Sequence, residues 1–339
     1  MKLIKTTNAV GHVLCHDMTQ IIKDKFKGAR FKKGHVVTKE DIPILLSMGK
    51  ENLYVFECDK GFLHENDAAF RLLDICKNEY MSHSDVKEGK IELSSKIDGV
   101  FIVDKVKLNA INSIEDIMIA TRKSNTFVKK GDKLCGTRII PLVIDEQKII
   151  EAEQICDNKP ILQVLPLKIK TAGVITTGSE VYNGIIEDKF TPVIVDKLKS
   201  YSVSVTEHIT VDDKTENILN AINILKSKNV DMILCTGGMS VDPDDNTPGA
   251  IKQSGADIVT YGAPVLPGAM FLLGYFDDST PIVGLPGCVM YSKATVFDLA
   301  LPRILAKVKM NKSDFVEMGE GGLCLSCDVC TYPVCPFGK

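Results

Sequence analysis

The sequence lacks the features that mark membrane, secreted and nucleic-acid-binding proteins. No apolar run reaches the roughly 18 residues that span a bilayer, and residues 1–6 contain no apolar region of a signal peptide. The 41 basic and 44 acidic residues are well mixed and give a net charge of −3, whereas a nucleic-acid-binding protein concentrates basic charge on one face. We therefore expect a cytoplasmic protein that contacts neither a membrane nor nucleic acid.

The length of the chain predicts more than one domain. Its 339 residues exceed what one hydrophobic core usually organises, and 45% hydrophobic residues are enough for several cores. We predict a small α+β module at residues 1–60 and a module with one helix and a β-rich, barrel-like part at 61–168. An α/β domain at 169–308 and a cysteine-rich tail at 309–339 follow.

Strands and helices alternate regularly between residues 169 and 308. The predicted strands of this region lie at 172–177, 203–209, 230–235 and 281–285. Helical periodicity separates them, which predicts a doubly wound, mostly parallel sheet with helices on both faces. Thr191 and Thr247 each precede a proline and are the predicted caps of two helices. We also expect one long helix over 290–306.

Two glycine-containing loops, 176–180 and 236–248, follow strands of this predicted sheet. Open parallel sheets bind ligands at the carboxyl ends of their strands. Glycine lets the backbone approach an anion closely, and the amide groups of a following helix can hold that anion. The sequence therefore predicts an anion site formed by Gly178, Gly237 and Gly238.

Six carboxylates fall in the loops at the same edge of the sheet. They are Glu180, Asp212, Asp213, Asp242, Asp244 and Asp245. Carboxylates this dense repel one another unless a cation lies between them, and Mg²⁺ takes oxygen ligands and shares phosphates with a substrate. We predict that Asp242, Asp244 and Asp245 are ligands of Mg²⁺. The alternative is that these aspartates cap helices or form a solvated turn.

Residues 171–306 resemble the molybdopterin-binding domain of molybdenum-cofactor biosynthesis proteins, a family related to the molybdopterin molybdenumtransferases. The matching motifs occur in the family's order. They are Thr177-Gly178-Ser179-Glu180, Asp212-Asp213, Gly237-Gly238-Met239-Ser240 with Asp245-Asn246-Thr247-Pro248, and Leu285-Pro286-Gly287.

The resemblance implies two sets of site residues. The residues that would bind molybdopterin or its adenylate are Thr177, Gly178, Ser179, Gly237, Gly238, Ser240, Pro286 and Gly287. Glu180, Asp212 and Asp245 would be the catalytic residues in metal and molybdate chemistry. The implied protein is a Mg²⁺-dependent transferase and homo-oligomer that promotes molybdate insertion into the pterin cofactor.

Two departures from the family pattern favour alternative functions. Residues 266–270, Leu-Pro-Gly-Ala-Met, lack the lysine of the transferases, and residues 1–165 lack their Ala-Met-Asp-Gly segment. One alternative is a non-catalytic carrier or chaperone that holds finished cofactor for a molybdoenzyme apoprotein. The other is a Mg²⁺-dependent nucleotide pyrophosphatase, because Asp-Pro-Asp-Asp at 242–245 resembles the competence-damage type domain.

Four of the eleven cysteines crowd the end of the chain. They form the motif Cys324-x2-Cys327-x2-Cys330-x4-Cys335-Pro336. Two Cys-x-x-Cys steps place three thiolates on one tight turn, which suits a cubane iron–sulfur cluster or Zn²⁺. The alternative is an exposed thiol tail that is redox-active or transfers a soft metal. The other cysteines are scattered singly and are expected to be reduced, mostly buried residues.

Overall fold

The computed structural model describes residues 2–22, 26–55, 61–240, 242–243 and 245–338. The chain divides into two compact units. The first comprises Met1–Ile97, Phe101–Ser124 and Val128–Val164, and the second comprises Asp98–Val100, Asn125–Phe127 and Leu165–Lys339. The division into four regions stays a prediction. Among the described residues, no helix combines the length and the apolar character needed to cross a membrane.

The elements that the structure describes up to residue 166 are mainly short strands, with four α-helices and a 3₁₀ helix at Thr6–Asn8. The strands are β1 (Lys2–Lys5), β2 (Met18–Ile22), β3 (Phe26–Phe31), β4 (Asn52–Val55), β5 (Phe62–His64), β6 (Met81–His83), β7 (Ile91–Ser95), β8 (Gly99–Val103), β9 (Ile117–Thr121), β10 (Thr126–Val128), β11 (Lys133–Ile139), β12 (Val143–Asp145) and β13 (Leu162–Pro166). The helices are α1 (Asp41–Ser47), α2 (Glu65–Cys76), α3 (Lys105–Asn112) and α4 (Glu146–Cys156). A four-stranded sheet has the order β6-β7-β11-β9, and a three-stranded sheet has the order β10-β8-β13. Helix α2 buries Ala69, Leu72, Leu73 and Cys76, whose spacing places them on one face.

The second unit contains the α/β domain. Its strands are β14 (Thr171–Thr177), β15 (Ser204–Val211), β16 (Ile233–Thr236), β17 (Asp257–Tyr261), β18 (Leu272–Tyr275) and β19 (Pro281–Leu285). Its helices are α5 (Ser179–Tyr182), α6 (Phe190–Lys199), α7 (Thr215–Ser227), α8 (Thr247–Gln253), α9 (Val296–Leu305) and α10 (Lys312–Val316). The sheet order is β15-β14-β16-β19-β18-β17, with the first four strands parallel and β18 and β17 antiparallel to their neighbours. The predicted doubly wound, mostly parallel sheet is confirmed.

Hydrophobic cores lie on both faces of this sheet. Val174 and Leu234 belong to one core with α6 and α9, whereas the next residues along the strands, Ile175 and Cys235, belong to a second core with α7 and α8. Successive side chains of a strand point to opposite faces, so strands covered on both faces appear as continuous apolar runs. This double burial is why the strands were recognisable in the sequence.

Three local predictions about helix ends were wrong. Thr247 does not cap α8, because it is the first residue of that helix and Asn246 is the N-cap residue. The helix expected over 290–306 is a 3₁₀ turn at Gly287–Met290 followed by the shorter α9, which begins at a capping box formed by Thr295 and Asp298. Thr191 does not cap α6, because the helix has already begun at Phe190. The carboxylate of Asp188 accepts the N–H groups of Phe190 and Thr191 at 2.9 and 3.0 Å and so takes the capping role.

Candidate functional site

The loops after β14 and β16 touch at the carboxyl edge of the sheet. Gly237 has φ +84°, and a Cβ atom there would stand 2.2 Å from the carbonyl oxygen of Thr177. Gly238 has φ +55°, and its Cβ would stand 2.8 Å from Thr247 Oγ1. Glycine is required at both positions by the backbone conformation and by the available space.

A pair of buried threonines lies beneath these glycines. Thr177 Oγ1 and Thr247 Oγ1 are 3.1 Å apart, and Thr177 Oγ1 donates to the carbonyl oxygen of Thr236 at 3.2 Å. The N–H of Thr247 donates to the carbonyl oxygen of Gly238 at 3.3 Å. The start of α8 is therefore bound to both glycine-containing loops.

Asp213, in the loop after β15, connects two further parts of this edge. Its Oδ2 accepts the N–H of Ser179 at 2.7 Å, and its carbonyl oxygen accepts the side-chain amide of Asn246 at 2.9 Å. Gly178, with φ +141°, precedes Ser179 and turns the chain into α5. The predicted meeting of the loops after β14, β15 and β16 is thus present in the structure.

The carboxylates at this edge differ in their partners. Asp212 accepts hydrogen bonds from Asn217 Nδ2 at 2.7 Å and from the N–H of Lys214 at 3.2 Å, which hold the pKa of Asp212 below its usual value. Glu180 and Asp242 are exposed, and Asp245 is half-buried. These partners show that Asp212 has a local structural role whatever else it does.

The structure describes two of the three predicted Mg²⁺ ligands, Asp242 and Asp245. Asp244 lies outside the described residues. Within residues 2–22, 26–55, 61–240, 242–243 and 245–338, no three histidine, cysteine, aspartate or glutamate side chains stand together in positions that could hold a metal ion. The roles of Asp242, Asp245 and the four tail cysteines as ligands stay predictions.

The turn after β19 completes the edge. Thr236 on β16 pairs with Leu285 on β19, so the turn that begins with buried Pro286 and exposed Gly287 follows the strand beside the Gly237 loop. Ser240 is exposed. The strand order therefore brings all the predicted cofactor-binding residues to the carboxyl ends of neighbouring strands.

Tyr261, at the end of β17, is a site residue that the sequence analysis missed. Its hydroxyl donates to the carbonyl oxygens of Met239 and Ser240 at 3.0 and 3.2 Å. Burial and the nearby carboxylate of Asp245 raise the pKa of Tyr261. Tyr261 ends a strand that is antiparallel to its neighbour β18. No local motif indicated the contact of its hydroxyl with the loop after β16, because the two segments are distant in the chain.

A second missed group lies beside β14. Thr176 Oγ1 is 3.0 Å from both Asp188 Oδ2 and His208 Nε2, and His208 Nε2 is 3.5 Å from Asp188 Oδ2. Burial alone would raise the pKa of Asp188, but its hydrogen bonds from Thr191, Thr176 and Phe190 lower it. The side chains of Thr176, Asp188, Thr191 and His208 form one network, although they come from separate segments of the chain.

Two family models match the chain. Residues 173–306 match the family described as a probable molybdopterin binding domain, and residues 3–57 match a domain of unknown function. A CinA-like protein of Pseudothermotoga lettingae is 40% identical over 86 residues, which are 25% of this chain and 21% of that protein. A CinA-like protein of Fusobacterium nucleatum is 34% identical over 82 residues, 24% of this chain and 20% of that protein. The chain thus matches about a fifth of the length of these relatives.

Solved structures are similar over a comparable part of the chain. The protein CinA from Thermoplasma acidophilum, described as having unknown function, is 17% identical, with 40% of this chain and 98% of that chain covered and a TM-score of 0.35. The molybdopterin biosynthesis enzyme MoaB from Thermus thermophilus is 18% identical, with 42% and 99% covered and a TM-score of 0.34. The molybdopterin biosynthesis Mog protein from Mycobacterium ulcerans is 23% identical, with 40% and 91% covered and a TM-score of 0.33.

Proposed function

We propose that this chain, whose residues 173–306 form a domain of the molybdopterin-binding family, binds molybdopterin or its adenylate in the biosynthesis or handling of the molybdenum cofactor. The observation that carries this proposal is the approach of Gly237 to the carbonyl oxygen of Thr177, which leaves no space for a side chain. The contact brings the loop after β16 against the end of β14, so that a phosphate at the carboxyl edge of the sheet could reach both segments.

The proposed site uses the loops that Thr177, Asp213 and Thr247 connect. The residues beside the phosphate would be Thr177, Gly178, Ser179, Gly237, Gly238 and Ser240, with Pro286 and Gly287 on the side of the neighbouring strand. Each of these positions lies at the carboxyl end of a strand or in the loop that follows it. The N–H groups of Gly178 and Ser179 already donate to Val211 and Asp213, so the backbone amide groups that would bind the phosphate are those of the loop that begins at Gly237.

Mg²⁺ is a further part of the proposal. This ion usually binds one or two carboxylates together with phosphate oxygens and waters, so exposed Asp242 and half-buried Asp245 are sufficient as protein ligands. Bound there, Mg²⁺ would polarise the phosphate group. Glu180 and Asp212 would be catalytic carboxylates in the metal and molybdate chemistry, and the hydrogen bond from Asn217 orients Asp212.

Molybdate insertion by a transferase and storage by a carrier are the two candidate outcomes of binding. The carrier is favoured by the loop between β17 and β18, where residues 266–270 contain no lysine. Gly268 in this loop has φ +120°, and its Cβ would stand 3.0 Å from the backbone nitrogen of Val296. The loop therefore offers neither a cation for molybdate at these positions nor space for a side chain at Gly268.

The test uses full-length protein, purified anaerobically and titrated with molybdopterin and with its adenylate, with and without Mg²⁺ and molybdate. Binding with release of the adenylate's nucleotide would support the transferase, and binding without turnover would support the carrier. Cleavage of ordinary dinucleotides without pterin binding would replace the proposal with the nucleotide pyrophosphatase. Absence of binding and of turnover with every ligand would overturn it.

A double variant, Asp212→Asn with Asp245→Asn, tests the assignment of the site. It should abolish Mg²⁺-dependent binding or turnover, because it removes two carboxylates at the carboxyl edge. The matched control is Asp196→Asn, which neutralises an exposed carboxylate on α6 of the same domain. Equal affinity in the double variant and the control would remove these residues from the site.

A further inference from the structure

The four clustered cysteines lie in a loop that is fixed at both ends. We call residues 321–338 the C-terminal loop. The N–H of Gly338 donates to the carbonyl oxygen of Gly321 at 2.9 Å, which closes the loop on itself. Two further hydrogen bonds, both 2.8 Å long, join Leu266 to the C-terminal loop. The N–H of Leu266 donates to the carbonyl oxygen of Gly322, and the carbonyl oxygen of Leu266 accepts the N–H of Cys324.

Aromatic side chains hold the other end of the C-terminal loop in the α/β domain. Phe337 is only 4% exposed and belongs to the core that α6 and α9 share. The hydroxyl of Tyr332 donates to the carbonyl oxygen of Asp298 in α9 at 3.1 Å. The ring centroids of Tyr332 and Phe337 are 6.2 Å apart. The cysteines therefore belong to a loop that is anchored to the α/β domain.

All four cysteines line a single cavity of about 330 Å³. Cys324 and Cys335 are half-buried beside the core, and Cys327 and Cys330 are exposed. The other wall is formed by the loop at Pro267 and by residues 291–294, which follow the 3₁₀ turn after β19. The loop thus collects four thiols around one space, on a segment whose ends are already fixed.

We propose that these four thiols bind one thiophilic metal centre, either Zn²⁺ or a cubane iron–sulfur cluster. Both take four cysteine thiolates. Because the hydrogen bond between Gly338 and Gly321 already closes the loop, metal binding loses less conformational entropy than it would in an open chain. The proposal is independent of pterin binding, because it concerns residues outside the phosphate site.

Binding requires the sulfur atoms to move closer together. No three cysteines of the described C-terminal loop, 321–338, are grouped as metal ligands, and this segment contains no helix or strand that would resist local adjustment. Each thiol that becomes a ligand gives up its proton, so Zn²⁺ binding releases protons to the solvent. In the iron–sulfur case, equal amounts of ferrous and ferric iron with sulfide supply the cubane core without any change of oxidation state, and each cysteine thiol releases its proton and binds one iron as a thiolate.

The experiment measures metal per chain in full-length protein under anaerobic, reducing conditions. Metal-free protein is divided between one arm with Zn²⁺ alone and one arm with ferrous iron, ferric iron and sulfide. We expect about one centre per chain in at least one arm. Proton release and zinc content identify Zn²⁺, whereas bound iron and sulfide with a broad visible absorption identify a cluster. Absence of a stoichiometric centre in both arms overturns the proposal.

Two variants at exposed positions, Cys327→Ser and Cys330→Ser, test the ligands without disturbing the core. Each should weaken metal binding at least about tenfold, since even loss of a supporting residue weakens metal affinity by roughly ten- to a hundredfold. The controls are Cys288→Ser, outside the motif, and Val329→Ala, between the two cysteines, and both should bind as the parent does.

A measurement on the parent protein avoids any effect of the variants on folding. The bound centre should protect all four tail cysteines from alkylation, and a chelator should restore their reactivity. Equal alkylation with and without metal, or equal binding by Cys327→Ser and the parent, would contradict the proposal.

Discussion

Gly237 lies so close to Thr177 that a Cβ atom on residue 237 would stand 2.2 Å from the carbonyl oxygen of residue 177. Two loops that are 60 residues apart in the chain therefore meet backbone to backbone at the carboxyl edge of the sheet. This contact sets the shape of the proposed phosphate site, because any side chain at residue 237 would force the loops apart.

Gly237→Ala should destabilise the protein and weaken ligand binding. Alanine at φ +84° is strained and would overlap Thr177, and a residue in such a region costs roughly 1–3 kcal/mol. Urea unfolding would measure the loss. The control is Gly249→Ala in α8, where a Cβ would meet nothing within 4 Å and the change should be neutral or stabilising by up to about 1 kcal/mol. Equal stability of the two variants would contradict the assigned contact.

Asp188→Ala should reduce stability in a way that depends on pH. Hydrogen bonds hold the pKa of Asp188 below its usual value of 3.8, so its stabilising effect is complete above that pH and is lost as the pH falls through the lower native pKa. Removing this cap should cost about 0.5–2 kcal/mol at neutral pH, and the difference from the parent should shrink in acid. Asp196→Asn, on the exposed face of α6, should show no such convergence. A difference that stays constant down to low pH would contradict the role of Asp188.

Lys197→Met should be strongly destabilising. Lys197 Nζ is 2.6 Å from Asp298 Oδ1, with the two side chains 15% and 10% exposed, and it also donates to the carbonyl oxygen of Lys293 at 2.9 Å. Removing one partner of a buried pair costs about 3–5 kcal/mol, because the other charge stays buried. Thermal or urea unfolding of Lys197→Met should be compared with Lys199→Met, an exposed lysine in the same turn. Similar losses in both variants would show that the pair contributes little.

Thiol reactivity should separate Cys235 from the cysteines of the C-terminal loop. Complete burial raises the pKa of Cys235 to about 12, and the thiolate is the reactive form. In reduced, metal-free protein at neutral pH, Cys327 and Cys330 should be alkylated first, and Cys235 only after unfolding. Peptide mapping by mass spectrometry along a time course measures the order. Early modification of Cys235 in the folded protein would contradict its burial.

Features that depend on residues close together in the chain could be predicted from the sequence. The inner strands β14, β16 and β19 are buried on both faces, so their apolar runs are continuous, and the helices between them have a regular apolar face. Gly178, Gly237 and Gly238 follow such strands directly, which placed them at the carboxyl edge without knowledge of the strand order. The ends of α6 and α9 were predicted less well, because a cap depends on which nearby side chain accepts the first free N–H groups.

The sequence alone therefore determined the parallel α/β domain, the edge at which its loops gather and the cysteine motif at its end, because periodicity and local spacing encode these features. Only the tertiary structure decided that Asp213 holds Ser179, that Tyr261 reaches Met239 and that Asp188 and His208 share Thr176. It also decided that Tyr332 and Phe337 anchor the cysteines. These contacts join residues far apart in the chain, and their partners depend on strand order, register and side-chain packing rather than on any local pattern.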